Sequence, residues 1–130
     1  MTALARITQV HSVSTMNSIN SAILRSLFMP LFLGTTASSA ALVVIGMLRR
    51  SEPGATAMLA GGLIYIVGMF LCTVFFNVPL NNALAALDPA SAEAGSVWAR
   101  YLREWTMWNH VRALSSASTC ALYIAAIAAR

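Results

Sequence analysis

The sequence predicts an all-α membrane helical bundle: three transmembrane helices plus amphipathic interfacial helices, forming a single integral membrane domain over residues 1–130. Three observations carry that expectation. Hydrophobic residues make up 58% of the chain and charged residues only 9%, whereas a soluble domain needs about 25% charged residues to clothe its surface. Three apolar runs, about residues 27–48, 55–76 and 108–129, each reach the ~20 residues that cross a hydrocarbon core at 1.5 Å per residue. The segments before the first run and before the third mix polar and apolar residues with a helical period.

The charge balance excludes several functions. The formal net charge of +4 comes from arginines alone, and only Arg49 and Arg50 are adjacent. Without a basic patch, nucleic acid is not a partner; anionic headgroups of a lipid bilayer account for the sign more simply. The two cysteines, Cys72 and Cys120, lie inside apolar runs, which argues for packing thiols and against a disulfide framework or a zinc site with clustered ligands. The histidines are His11 and His110, too far from a paired arrangement to suggest haem. Residues 1–13 hold Arg6 but no apolar core of signal-peptide length, so no cleavable leader is expected.

Taken in order, the chain is expected to start frayed and become helical from Ser14, with Ser12 or Ser14 as cap. Met16, Ile19, Asn20, Ile23 and Leu27 give that helix an apolar face carrying one amide. It leads into the first span, which Pro30 should kink near its start, because proline cannot donate to the carbonyl four residues back and crowds it. Gly34, Ser38 and Ala41 form a small-residue face suited to close helix approach. Arg49–Gly54 reads as a tight polar turn ending in Pro-Gly. The second span follows, with Ala57, Gly61, Gly68 and Cys72 as its small face. It ends in Asn77-Val-Pro-Leu-Asn-Asn82, and Asp88-Pro89 breaks the helix. From Ser91 a polar helix carrying Trp98, Arg100, Tyr101, Arg103, Glu104 and Trp105 merges into the third span.

An antiparallel bundle puts the start of span one, the end of span two and the start of span three at one membrane face. Those are the places where polar groups lie at membrane depth: Asn20; Asn77, Asn81 and Asn82; Asn109, His110 and Arg112. A shared polar pocket at one mouth of the bundle is the economical reading. Arg112 is the one charge inside a span, where an arginine costs roughly 2.5–3.5 kcal/mol at the helix centre on insertion scales. Its five donors suit a phenolate, enolate or carboxylate; as a purely structural group it would clamp helices through the Asn77 or Asn81 oxygens. Trp98, Trp105 and Trp108 either stack on a flat aromatic small molecule or form an interfacial belt. His110 sits about 200° round the helix from Arg112 and is either structural or a base of near-neutral pKa.

With these stretches laid out, the chain resembles the anthrone oxygenase-like family of small integral membrane proteins. The resemblance rests on Met16-Asn-Ser-Ile-Asn20, on Phe76-Asn-Val-Pro-Leu-Asn-Asn82, and on Trp98 through Tyr101 and Trp105 to Trp108-Asn-His-Val-Arg112. It implies an oxygenase that uses no cofactor, neither metal nor flavin, and turns an electron-rich polycyclic phenol into a quinone with dioxygen. On that implication His110 is the base, Arg112 and Asn109 hold the developing oxyanion, Asn20, Asn77 and Asn81 orient the substrate, and Trp98, Trp105 and Trp108 stack on it. The family has four membrane helices. This sequence is expected to lack the first, through a misplaced start or as a true short form, so that one wall of the pocket would be missing unless another chain supplies it, as in a homo-oligomer. The bacterial members of the family point to the cytoplasmic membrane. A non-catalytic protein binding a lipid or quinone, or an accessory subunit of a membrane complex, remains the alternative. A transporter is disfavoured, because no ionisable residue lies deep in the first two spans.

Overall fold

The computed structural model describes residues 1, 4–6 and 8–129, and in them the secondary structure is helical throughout. After a short 3₁₀ turn at Leu4–Arg6 come four long helices: α1 (Gln9–Leu24), α2 (Phe28–Leu48), α3 (Ala55–Ala85) and α4 (Ala94–Ala128). The last three are each long and apolar enough to cross a membrane. α4 is one uninterrupted rod of 35 residues, about 50 Å long at 1.5 Å per residue. It therefore overshoots a ~30 Å hydrocarbon core by several turns.

α1 begins five residues earlier than the sequence suggests. The Ser12 hydroxyl does not cap a following helix but turns back, donating to the Leu4 carbonyl at 2.7 Å. Val13 and Met16 are buried with Leu84 of α3 and Trp98 and Tyr101 of α4. Burial of that apolar stripe holds the helix start, where local propensity alone would leave it frayed. α1 also does not run into the first span. The chain breaks at 25–27, where Ser26 Oγ donates to the Ile23 carbonyl at 2.8 Å and accepts the Phe28 N–H at 3.1 Å. Pro30 consequently falls in the first turn of α2, where its missing N–H would have had no intrahelical partner anyway. A break replaces the expected kink.

α2 and α3 are joined by the turn at 49–54, in which Gly54 takes a left-handed φ of 80°. A side chain there would strike the Ala126 carbonyl of α4, so only glycine fits. The two helices meet through small residues, one position round from the expected face on α2. Ser39 and Gly46 are buried, while Gly34 faces outward with no atom within 4 Å of a Cβ placed there. On α3 the adjacent Gly61 and Gly62 serve two neighbours. Gly61 lies under the Tyr123 ring of α4, and Gly62 lies under Val43 and the Ser39 carbonyl of α2. Two hydrogen bonds cross this packing, Thr119 Oγ1 to the Gly61 carbonyl and Tyr123 OH to Ser39 Oγ, both 3.0 Å.

These contacts fix a paired prediction. A Cβ at Gly62 would sit 2.6 Å from Val43 Cγ2 and 2.7 Å from the Ser39 backbone oxygen. Gly62→Ala must therefore part α2 from α3, at a cost of about 1–3 kcal/mol. Gly34→Ala meets nothing and gains helix propensity, so it is neutral or stabilising by up to ~1 kcal/mol. Thermal unfolding in detergent micelles checks both; equal effects would refute the packing.

Candidate functional site

The last half of α3 departs from α-helical geometry. It is π-helical over Ile66–Leu71 and Thr73–Asn77 before returning to α-helix over Val78–Ala85. The Val78 N–H reaches the Thr73 carbonyl, five residues back. The cause lies one residue on: Pro79 cannot donate, and in an α-helix its ring would crowd the Phe75 carbonyl. A wider turn just before it relieves that crowding. Thr73 Oγ1 donates to the Met69 carbonyl at 2.6 Å, satisfying an acceptor inside the wide segment. Such segments collect at functional sites because they re-aim side chains, and here Phe70, Thr73, Val74 and Asn77 face one cavity.

That cavity, of about 470 Å³, lies between α1, the start of α2, the second half of α3 and the middle of α4. The chain has six asparagines, and all of them line it: Asn17, Asn20, Asn77, Asn81, Asn82 and Asn109. Arg112 is its one charged lining residue among those described. Phe28, Phe32, Phe70 and Trp105 supply flat apolar surface.

Several of the polar groups are unsatisfied. Asn77 is 2% exposed, and neither its Oδ1 nor its Nδ2 has a hydrogen-bond partner among the described residues. Asn17 Oδ1, Trp105 Nε1 and Arg112 Nε are likewise buried and unpartnered. Leaving a buried polar group unmade costs about 1–3 kcal/mol each, more for a charge, so a bundle carrying this many is shaped for something other than its own stability. No carboxylate among the described lining residues balances Arg112. The clamp through Asn77 or Asn81 is not formed: Asn77 has no partner, and Asn81 Oδ1 accepts from Tyr101 OH at 2.8 Å.

The sequence profile described as anthrone oxygenase matches residues 7–122, a stretch that contains every residue of the cavity. The chain belongs to the anthrone oxygenase family. No curated protein and no solved structure matches it.

In this anthrone oxygenase family member, the residues singled out from sequence divide into two groups. Asn20, Asn77, Asn81, Trp105, Asn109 and Arg112 come together at the cavity. Trp98, Trp108 and His110 do not line it. Trp98 is packed in the cluster beneath α1. Trp108 stacks on Phe76, ring centroids 3.7 Å apart, beside a smaller crevice of about 270 Å³ on another face of α4. His110 is exposed. The tryptophans are therefore not one wall of the cavity. Among the cavity residues not singled out are Asn17 and Thr73. Asn17 carried a signal, since it stands three residues before Asn20 and shares its helix face. Thr73 carried none, because its place depends on the wide turn.

Proposed function

We propose that the cavity binds a planar, electron-rich polycyclic phenol with its anionic oxygen against Arg112, and that the protein oxidises it to a quinone with dioxygen. The observation that carries this reading is the unpaired guanidinium among six asparagines in a cavity with aromatic walls. A site of that composition offers donors to an oxyanion and flat surface to rings, and membership of the anthrone oxygenase family supplies the reaction class. In the proposed reaction a ring CH₂ next to the phenol system loses a proton, and the resulting enolate passes one electron to dioxygen. The radical pair joins as a carbon-bound peroxide, which takes up a proton. Loss of the second C–H proton with cleavage of the O–O bond releases water and leaves a carbonyl. One oxygen atom ends in the quinone and the other in water. Arg112 and Asn109 hold the negative charge on the enolate oxygen as the first proton leaves, a role in which one preorganised donor is typically worth about 2.7–4 kcal/mol.

The proton is not routed through His110 in this proposal. The imidazole is exposed and the cavity lining does not include it; stabilisation of the enolate by Arg112 lets water at the mouth accept the proton. His110→Ala is therefore expected to keep its rate within about two-fold, as a surface substitution does. A loss of 100-fold or more, on the order expected for a general base, would return the role to His110.

A second reading is favoured by one observation: no carboxylate, histidine or cysteine is among the described lining residues. A protein that binds a quinone or lipid without transforming it needs no proton acceptor there. Oxygen consumption by membranes containing the full chain, with an anthrone supplied, separates the two. Uptake of one dioxygen per quinone formed is the expected result; tight binding of the anthrone with no uptake leaves the binding protein.

A further inference from the structure

Tyr101 is 1% exposed and does not itself line the cavity, yet its hydroxyl touches two side chains that do. It donates to Asn81 Oδ1 at 2.8 Å and accepts from Asn20 Nδ2 at 3.5 Å. A phenol has one proton to give. Once that proton is on Asn81 Oδ1, the hydroxyl can serve Asn20 only as an acceptor, so the two amides must turn in opposite senses. Asn81 is left with its N–H₂ end free and Asn20 with its oxygen free, and neither atom has another partner among the described residues. Asn17 follows Asn20: its Nδ2 donates to the Leu84 carbonyl at 3.4 Å, and its Oδ1 is buried and unpartnered. On the opposite side Trp105 Nε1 and Arg112 Nε are unpartnered donors among the described residues, and Asn77, whose Nδ2 and Oδ1 both lack partners, is free to turn its donor end to the same guest.

We propose that Tyr101 is a positioning residue: its single hydroxyl proton fixes the Asn20 and Asn81 amides in opposite orientations, giving the cavity a hydrogen-bond-accepting wall on α1 and a donating wall on α3 and α4. The ligand this sorting selects is one with two unlike edges. A carbonyl or oxyanion lies against α3 and α4, and a free hydroxyl points at α1. This deepens the reading under Proposed function and rests on it, since both need the cavity to be the binding site. Without Tyr101 OH, the Asn20 amide turns freely, and an ether or carbonyl at the α1 edge is accepted as readily as a hydroxyl.

The test compares 2-hydroxyanthraquinone with its methyl ether, 2-methoxyanthraquinone, as probes for the full-length protein in detergent micelles, read by quenching of tryptophan fluorescence. Wild type is expected to prefer the hydroxyl probe by about ten-fold, the range set by one buried acceptor made or left unmade. Tyr101→Phe keeps the ring that stacks on Trp98 and Trp105 and removes only the hydroxyl; the preference should fall to about three-fold or less. Tyr101→Phe combined with Asn20→Asp should restore it, because a carboxylate presents an acceptor whichever way it turns. A residue that merely supports the fold would weaken both probes together and leave their ratio at ten-fold, which overturns the proposal. So does a failure of the double variant to restore the ratio. Should Tyr101→Phe not fold, Asn20→Leu with Tyr101 intact must lower the same ratio, and an unchanged ratio overturns the proposal equally. Equal binding of the two probes by wild type overturns it while leaving the cavity reading standing; no binding of either overturns both.

Discussion

Arg112→Met is expected to make the protein more stable and to abolish its activity on, or binding of, an anionic ligand. Arg112 Nε is buried without a partner among the described residues, and no carboxylate among those lining the cavity repays its desolvation. An unpaired arginine at membrane depth costs roughly 2.5–3.5 kcal/mol near the helix centre and less toward the interface. Methionine fills much of the same volume without a charge, so a gain of about 1–3 kcal/mol is expected. Thermal unfolding in micelles without ligand measures it. The functional loss runs the other way. Removing one preorganised donor to a developing oxyanion typically lowers kcat by about 10²–10³, and Arg112 also supplies the cavity's one charge among the described lining residues. Arg112→Lys keeps the charge but loses the planar fork and should fall between. Opposite signs on stability and function are what distinguish a ligand site from a helix clamp. If Arg112→Met melts lower than wild type, the guanidinium is holding the bundle together and the site reading fails.

The spans were legible from composition because a bilayer demands long apolar helices and tolerates little else. The convergence of Asn20, Asn77, Asn81, Asn109 and Arg112 was legible for a topological reason: an antiparallel bundle returns the two ends of neighbouring spans to one face. What the sequence did not show is which face of each helix turns inward. His110 and Arg112 are two positions apart, and only the packing of α4 decides that Arg112 enters the cavity while His110 faces out. Trp105 and Trp108, three residues apart, likewise look equivalent as letters. Yet α1 covers one side of α4 and Phe76 the other, so the first lines the cavity and the second does not. The π-helical stretches of α3 have no periodic signature of their own, and Pro79 announces an irregularity without saying where the helix will absorb it. Tyr101 reads as one more aromatic of the segment from Trp98 to Trp108. Its work on two amides, one from α1 and one from α3, appears only when three helices are brought together.

Asn77→Leu carries the second large effect, and it tests whether the cavity residues are independent of one another in the empty protein. Both polar atoms of Asn77 are buried and unpartnered among the described residues, and leucine has the same branching and number of heavy atoms. Removing two unmade hydrogen-bonding groups should stabilise by about 1–3 kcal/mol, while affinity for the phenol or quinone ligand falls by about ten-fold or more. A double-mutant cycle with Arg112→Met then separates two explanations of that result. If Asn77 and Arg112 truly lack contact without ligand, their effects on unfolding add to within ~0.5 kcal/mol. A hidden hydrogen bond between them, direct or through a shared water, would show as a coupling of about 0.5–3 kcal/mol, with each single variant destabilising. In ligand binding the expectation reverses. Two donors gripping one guest act as a unit, so the second substitution should cost far less than it does alone. Additive stability with non-additive binding is the signature of groups that meet only through the ligand. Coupling in both measurements would mean that they already hold each other.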